Sequence, residues 1–119
     1  MTDVVVTVPK GAWSRWLGEG DLAGDPAMYE SHFWLAYGRL PAIEHGDRVY
    51  IVAHGKLRGY APLLRVERSC RLAPSRSCLV RGGGARAVTI AEPVRGFQGW
   101  RYRWWSLSDE RPFPGWMSP

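Results

Sequence analysis

The chain is 119 residues long, 45% hydrophobic and carries a formal net charge of +5, which allows one small domain around one core and argues against a second. No apolar run approaches the roughly 20 residues that span a bilayer, and MTDVVVTVPK at the N-terminus lacks the basic region, apolar segment and cleavage site of a secretory signal, so a cytoplasmic location and no membrane partner are expected. Cys70 and Cys78 are too few for a disulfide framework or a four-ligand metal site; buried free thiols are expected, with a cross-hairpin pair as the alternative.

In chain order, VVVTV (4 to 8) is a β-branched run stopped by Pro9 and reads as a buried strand. KGAWSRWLGEGD places Trp13, Trp16 and Leu17 on one face of a short helix ending at Gly18 or Gly20. GDPAMYES offers Asp25 as N-cap and Pro26 at the first helical position, and HFWLAYG after it reads as a strand. GDRVYIVAHGKLRGYAPLLRVE (46 to 67) is the clearest element. It is a hairpin opened by a Gly-Asp turn and reversed at HGK, with Gly59 and Pro62 marking a bulge or bend in the return strand. SCLVR-GGG-ARAVTI (77 to 90) reads as a second hairpin. Next comes GFQGWRYRWW (96 to 105), which if extended sets Trp100, Tyr102 and Trp104 on one face and Arg101, Arg103 and Trp105 on the other. One face is expected to close the core, and the face with Arg101, Arg103 and Trp105 to meet a ligand. In the proline-rich tail, Phe113 and Trp116 are expected to cover an open end of the core.

Charge is distributed unevenly. Residues 1 to 47 hold three basic and seven acidic side chains, a net of −4, and residues 48 to 119 hold thirteen basic and four acidic, a net of +9. Fourteen of the sixteen basic residues are arginine, whose planar fork suits phosphate and whose face stacks on bases. A GC-rich genome would explain the preference for arginine, but not the asymmetry. A domain with a positive side points to a polyanion.

The fold class expected is α+β: a small mixed β-pseudobarrel of five to six strands with one or two short helices. A first strand ending in TVP, a tryptophan-bearing helix directly after it and GDRVYIVAHGKLRGYAPL resemble the PUA-like superfamily, which includes the EVE, ASCH and YTH domains. The resemblance covers residues 3 to 105. It implies a pseudobarrel that binds RNA or a flipped, modified base in an aromatic-lined cleft near the end of the first strand. The matching positions are Thr7, Pro9, Lys10 and Trp13, with Trp16 one helical turn on. The GxKxxExR run of ASCH type and the RN pair of EVE type are absent.

Independent of any family, no serine triad, metal-ligand cluster or phosphate loop opening onto a helix is visible. His32, His45 and His54 are scattered, as structural histidines are. RGGGAR offers backbone N–H groups flanked by Arg81 and Arg86 that would cradle a phosphate; the alternative is a plain hairpin tip. The core of so small a domain is not expected to hold all of seven tryptophans, five tyrosines and three phenylalanines, so one or two tryptophans are expected to line a cleft.

The reading that follows is a non-catalytic, PUA-like nucleic-acid-binding module, without cofactor or metal, that takes RNA or modified DNA. Its candidate site residues are Thr7, Lys10, Trp13, Trp16, Arg81, Arg86, Arg101, Arg103 and Trp105. Two alternatives stand beside it. One is an ASCH-type hydrolase of RNA or a nucleoside, with Lys10 as activating cation and Glu67 or Glu92 as acid/base. The other is a protein-interaction domain using exposed Trp and Arg.

Overall fold

A computed structural model describes residues 2–8, 30–35, 38–71, 73–82 and 86–113, with the side chains of residues 30–32 and 34 left aside. The strands are β1 (Val4–Thr7), β2 (Glu30–Leu35), β3 (Arg48–Ala53), β4 (Lys56–Glu67), β5 (Ser77–Gly82), β6 (Val88–Thr89), β7 (Trp100–Tyr102) and β8 (Arg111–Pro112). Six of them form one curled, half-barrel sheet in the order β2-β5-β4-β3-β1-β7, and β6 pairs with β8 separately. Among the described residues the only helical element is a 3-10 turn at Leu107–Asp109, and no helix is long and apolar enough to cross a membrane. The fold is thus mostly β and barrel-like. The two expected helices fall largely on residues outside the described ones, although Glu30 and Ser31, expected at the end of the second, belong to strand β2.

β1 is continuous in valine because it is covered on both faces. It runs parallel to β3 on one side and antiparallel to β7 on the other. Val4, Val6 and Val8 join Val49, Ile51, Ala53, Ala61, Leu63 and Leu79 in one core, while Val5 joins Tyr50, Val52, Leu57, Ile90, Val94 and Trp105 in another on the opposite face. A strand with two buried faces has no reason to alternate.

The 46 to 67 hairpin forms as expected. Its β3–β4 turn has positive φ at both His54 (52°) and Gly55 (75°), the two-residue geometry that follows strand twist without splaying the pair. The Gly-Asp turn before it is held by the Asp47 carboxylate, which accepts from the Glu44 N–H at 2.9 Å. β4 slips register twice. Val52 faces Leu57 but Ile51 faces Gly59, leaving Arg58 extra; Leu63 faces Arg81 but Arg65 faces Val80, leaving Leu64 extra. Each bulge flips the phase of β4, which is why Leu57 sits in the second core and Ala61 and Leu63 in the first. Two bulges in one strand also bend it, and the sheet curls.

Residues 77 to 90 are not a hairpin. Both edges of β5 are occupied, by β2 and β4, so the following segment has no free edge of β5 to pair with. Arg86 then bridges Tyr60 through paired backbone hydrogen bonds of 3.0 and 2.8 Å, and β6 pairs with β8. Residues 86–113 run on as a strap that supplies Ile90, Val94 and Trp105 to the second core. Phe113 sits under the Arg58 guanidinium, 5.4 Å from its ring centroid; Trp116 is outside the described residues.

Candidate nucleic-acid interface

The strap and the end of β1 meet at a cleft. Thr7, Val8, Val52, Ala53, His54, Gly55 and Gly96 line it, with a volume of about 570 Å³, within the range of small-ligand sites. It opens where parallel β1 and β3 end, against the β3–β4 turn. The strap is tied down there by two hydrogen bonds: the Phe97 N–H donates to Thr7 Oγ1 at 3.0 Å, and the Val94 N–H to the Gly55 carbonyl at 3.0 Å. Gly96 is needed at the crossing, because a Cβ there would stand 3.0 Å from Thr7 Cγ2. Lys56 and Arg95, each next to a lining residue, are exposed.

A chain of rings crosses the second face from the rim of this cleft. Phe97 meets Trp104 (centroids 6.5 Å apart), Trp104 meets Trp105 (5.0 Å), Trp105 meets Tyr50 (5.1 Å) and Tyr50 meets Tyr60 (5.1 Å). A guanidinium caps each end: Arg101 lies 4.3 Å from the Phe97 centroid and Arg48 4.2 Å from that of Tyr60. In its middle the Trp105 Nε1–H donates to Glu110 Oε2 at 2.8 Å, and the Tyr50 hydroxyl donates to the same oxygen at 2.5 Å. Arg48 Nη1 donates to the Tyr50 oxygen at 3.0 Å. Burial, reinforced by the bond to Glu110, pushes the Tyr50 phenol well above its ordinary pKa.

The expected ligand face of the ladder is corrected by this packing. Trp105 is only 6% exposed and belongs to the second core. Arg103 is committed to Asp3, with its Nε 3.1 Å from Asp3 Oδ2 and its Nη1 bonded to the Trp105 carbonyl. Trp100 and Tyr102 do share a face, edge to face at 4.8 Å, and reach back to the loop before β3 through Trp100 Nε1 to the Arg39 carbonyl and the Ala42 N–H to the Tyr102 hydroxyl. Trp104 does not join them. β7 ends at Tyr102, the alternation lapses, and Trp104 turns to Phe97 and Glu92 instead, 47% exposed. It is the exposed indole that sequence reasoning assigned to the wrong side, and only the end of the strand distinguishes it from Trp105.

The other candidates scatter. Thr7 is at the cleft and Arg101 on the strap beside it. Arg81 is fully buried on the first-core side, 5.8 Å from the Phe33 centroid, and burial lowers its pKa to about 9. Arg86 is exposed on the strap, so the two arginines do not flank a common anion site. Lys10, Trp13 and Trp16 lie outside the described residues. His54 lines the cleft and His45 is exposed. Of the carboxylates considered for acid/base chemistry, Glu92 accepts a bond of 3.3 Å from Trp104. Glu67 sits at the far end of β4 from the cleft, where the Arg71 N–H and Arg65 Nε hold its pKa down at about 2. Cys70 and Cys78 are free and buried. No family model, curated protein or solved structure matches the chain.

Proposed function

We propose that this domain binds single-stranded or locally opened nucleic acid, with one base at the cleft beside Thr7 and the next on the strap. The observation that carries the reading is the conjunction of a cleft with an exposed indole and cations: Trp104 and Arg101 both rest on Phe97, whose backbone is bonded to the cleft residue Thr7. An indole face stacks on any base, and guanidinium groups attract phosphate. The basic excess of residues 48 to 119 supports a polyanion over a neutral ligand, and the PUA-like resemblance agrees with a base at the end of the first strand.

The test is a panel of oligonucleotides, single- and double-stranded, plain and modified, titrated at two salt concentrations. Binding that weakens steeply with salt is expected, with single strands preferred. Trp104→Ala should cost about 1–3 kcal/mol of binding, and Arg101→Ala should lower the salt slope by about one unit for all sequences alike. Absence of binding at low salt removes the proposal, and salt-independent binding to protein partners instead would favour an interaction domain.

A further inference from the structure

At the opposite end of β4 from the cleft, two thiols and a carboxylate converge. Glu67 and Cys78 are directly opposed in the β4–β5 register. Cys70 returns to them because the loop between these strands is tightly folded: the Cys70 N–H donates to the Arg76 carbonyl at 2.6 Å, the Ala73 N–H to the Cys70 carbonyl at 3.0 Å, and the Ser77 hydroxyl to the Arg68 carbonyl at 2.5 Å. One carboxylate oxygen and the two sulfurs lie within 4.8 Å of one another, and Cys78 Sγ is 3.7 Å from Glu67 Oε1. Both cysteines are fully buried.

From these juxtapositions we infer that Glu67, Cys70 and Cys78 form a site for a thiophilic divalent cation of the zinc class, which clips the hairpin loop 68–76 to the end of the sheet. Metal–ligand lengths of about 2.3 Å to sulfur and about 2.0–2.2 Å to oxygen place neighbouring ligands of a tetrahedral ion roughly 3.5–3.8 Å apart. The Cys78–Glu67 edge already has that length, and the remaining edges, none longer than 4.8 Å, close by at most about 1.3 Å. Arg65 Nε, 2.7 Å from Glu67 Oε2, and the Arg71 N–H on Oε1 orient the carboxylate from outside, as outer partners of metal ligands do. Two thiolates and a carboxylate exceed the charge of a divalent ion by one. The exposed Arg68, Arg71 and Arg76 of the same loop offset that excess. Thiolate ligands select zinc-class ions over magnesium or calcium. Three protein ligands leave one position of the tetrahedron to solvent.

The experiment uses the full chain, reduced with a phosphine and freed of metal, and titrated with Cd²⁺. One equivalent should saturate a thiolate-to-metal charge-transfer band in the near ultraviolet, and Zn²⁺ should abolish it by competition. Zn²⁺ should also slow alkylation of both thiols at least tenfold and raise the melting temperature. Cys70→Ser and Cys78→Ser should each remove most of the band, and Glu67→Gln should weaken Cd²⁺ binding about tenfold or more. A wild-type chain with two reducible thiols and no charge-transfer band in excess Cd²⁺ overturns the inference, whatever the variants do. So does a band that survives in the double Cys→Ser chain. If a serine variant does not fold, the alkylation rates of the wild-type chain with and without Zn²⁺ decide: equal rates count against the site.

Discussion

The two faces of the central sheet are both cores, but they are built differently. On the first, Val4, Val6, Ile51, Leu63 and Leu79 pack mainly aliphatic against aliphatic, with Phe33 and the buried Arg81 at the β5 side. On the second, a strap with little regular structure is fastened by rings and directed bonds, from Tyr50 and Trp105 to Glu110 and from Phe97 to Thr7. Aliphatic packing tolerates many registers, and elements that already belong to a sheet have their register fixed by the ladder. Between its short pairings at Arg86, β6, β7 and β8 the strap has no ladder, so its position there must be specified by side chains. That difference explains where the aromatic residues went. Trp105, Tyr50 and Tyr60 act as fasteners, and Trp104, at the edge of the same ring chain, is left over for solvent.

The sharpest way to break the comparison is to truncate each core at its centre. Trp105→Ala and Ile51→Ala are expected to cost about 3–5 and about 2–5 kcal/mol of folding stability, read from urea denaturation. A cost under about 1 kcal/mol for Trp105→Ala would mean that the strap is an accessory and not part of the core. Next in size is Glu110→Gln. It keeps one acceptor but loses the charge that holds Tyr50, Trp105 and Arg48 together, for about 1–3 kcal/mol; an equal loss in a Trp105→Phe background would show that the indole bond carries none of it.

The pH dependence sharpens the contrast further, because the two faces bury different titratable groups, Arg81 on the first and Tyr50 on the second. The raised folded-state pKa of Tyr50 means that the native state keeps a proton that the unfolded chain gives up near pH 10. The corresponding stability is fully present below pH about 10 and is lost as pH rises from there through the folded value. Alkaline denaturation should therefore be less steep in Tyr50→Phe than in the parent, judged by melting temperatures between pH 8 and 11. The smallest effect is expected at the margin: Trp104→Ala and Arg101→Ala should change stability by no more than about 0.5 kcal/mol. A larger loss for Trp104→Ala would assign it to the fastening, together with Trp105, and remove it from the proposed interface.

How far these arrangements were legible in the sequence depended on whether local chemistry dictated them. The 46 to 67 hairpin was legible because Asp47 makes its own turn and His54-Gly55 can take positive φ. The bulge was legible in Gly59. The second hairpin was misread because alternating runs around three glycines satisfy the same local rules whether β5 turns back or leaves, and only the occupation of both β5 edges decides. The ladder was misread for a related reason. Alternation orders side chains only while a strand lasts, and nothing in WRYRWW marks the end of β7 at Tyr102. Arginine was the least legible residue of all. Arg81 is sealed within the sheet, Arg103 ion-paired and Arg101 exposed, although all three read alike in the sequence as surface cations beside apolar residues.

The pairing of β1 has a consequence in time as well as in space. Asp3 binds Arg103 across a separation of 100 residues, Thr7 binds Phe97 across 90, and β1 lies between β3 and β7, neither of them its neighbour in the chain. Local contacts do little for it, so loop-closure entropy is spent before its pairing is rewarded, and folding of this domain should be slow for its size. During synthesis β1 leaves the ribosome before either of the strands it pairs with, and its pairing is among the last to be completed. Until Trp105 has followed it out, VVVTV is an uncovered β-branched segment with open edges, the kind of stretch that chaperones hold and aggregates recruit.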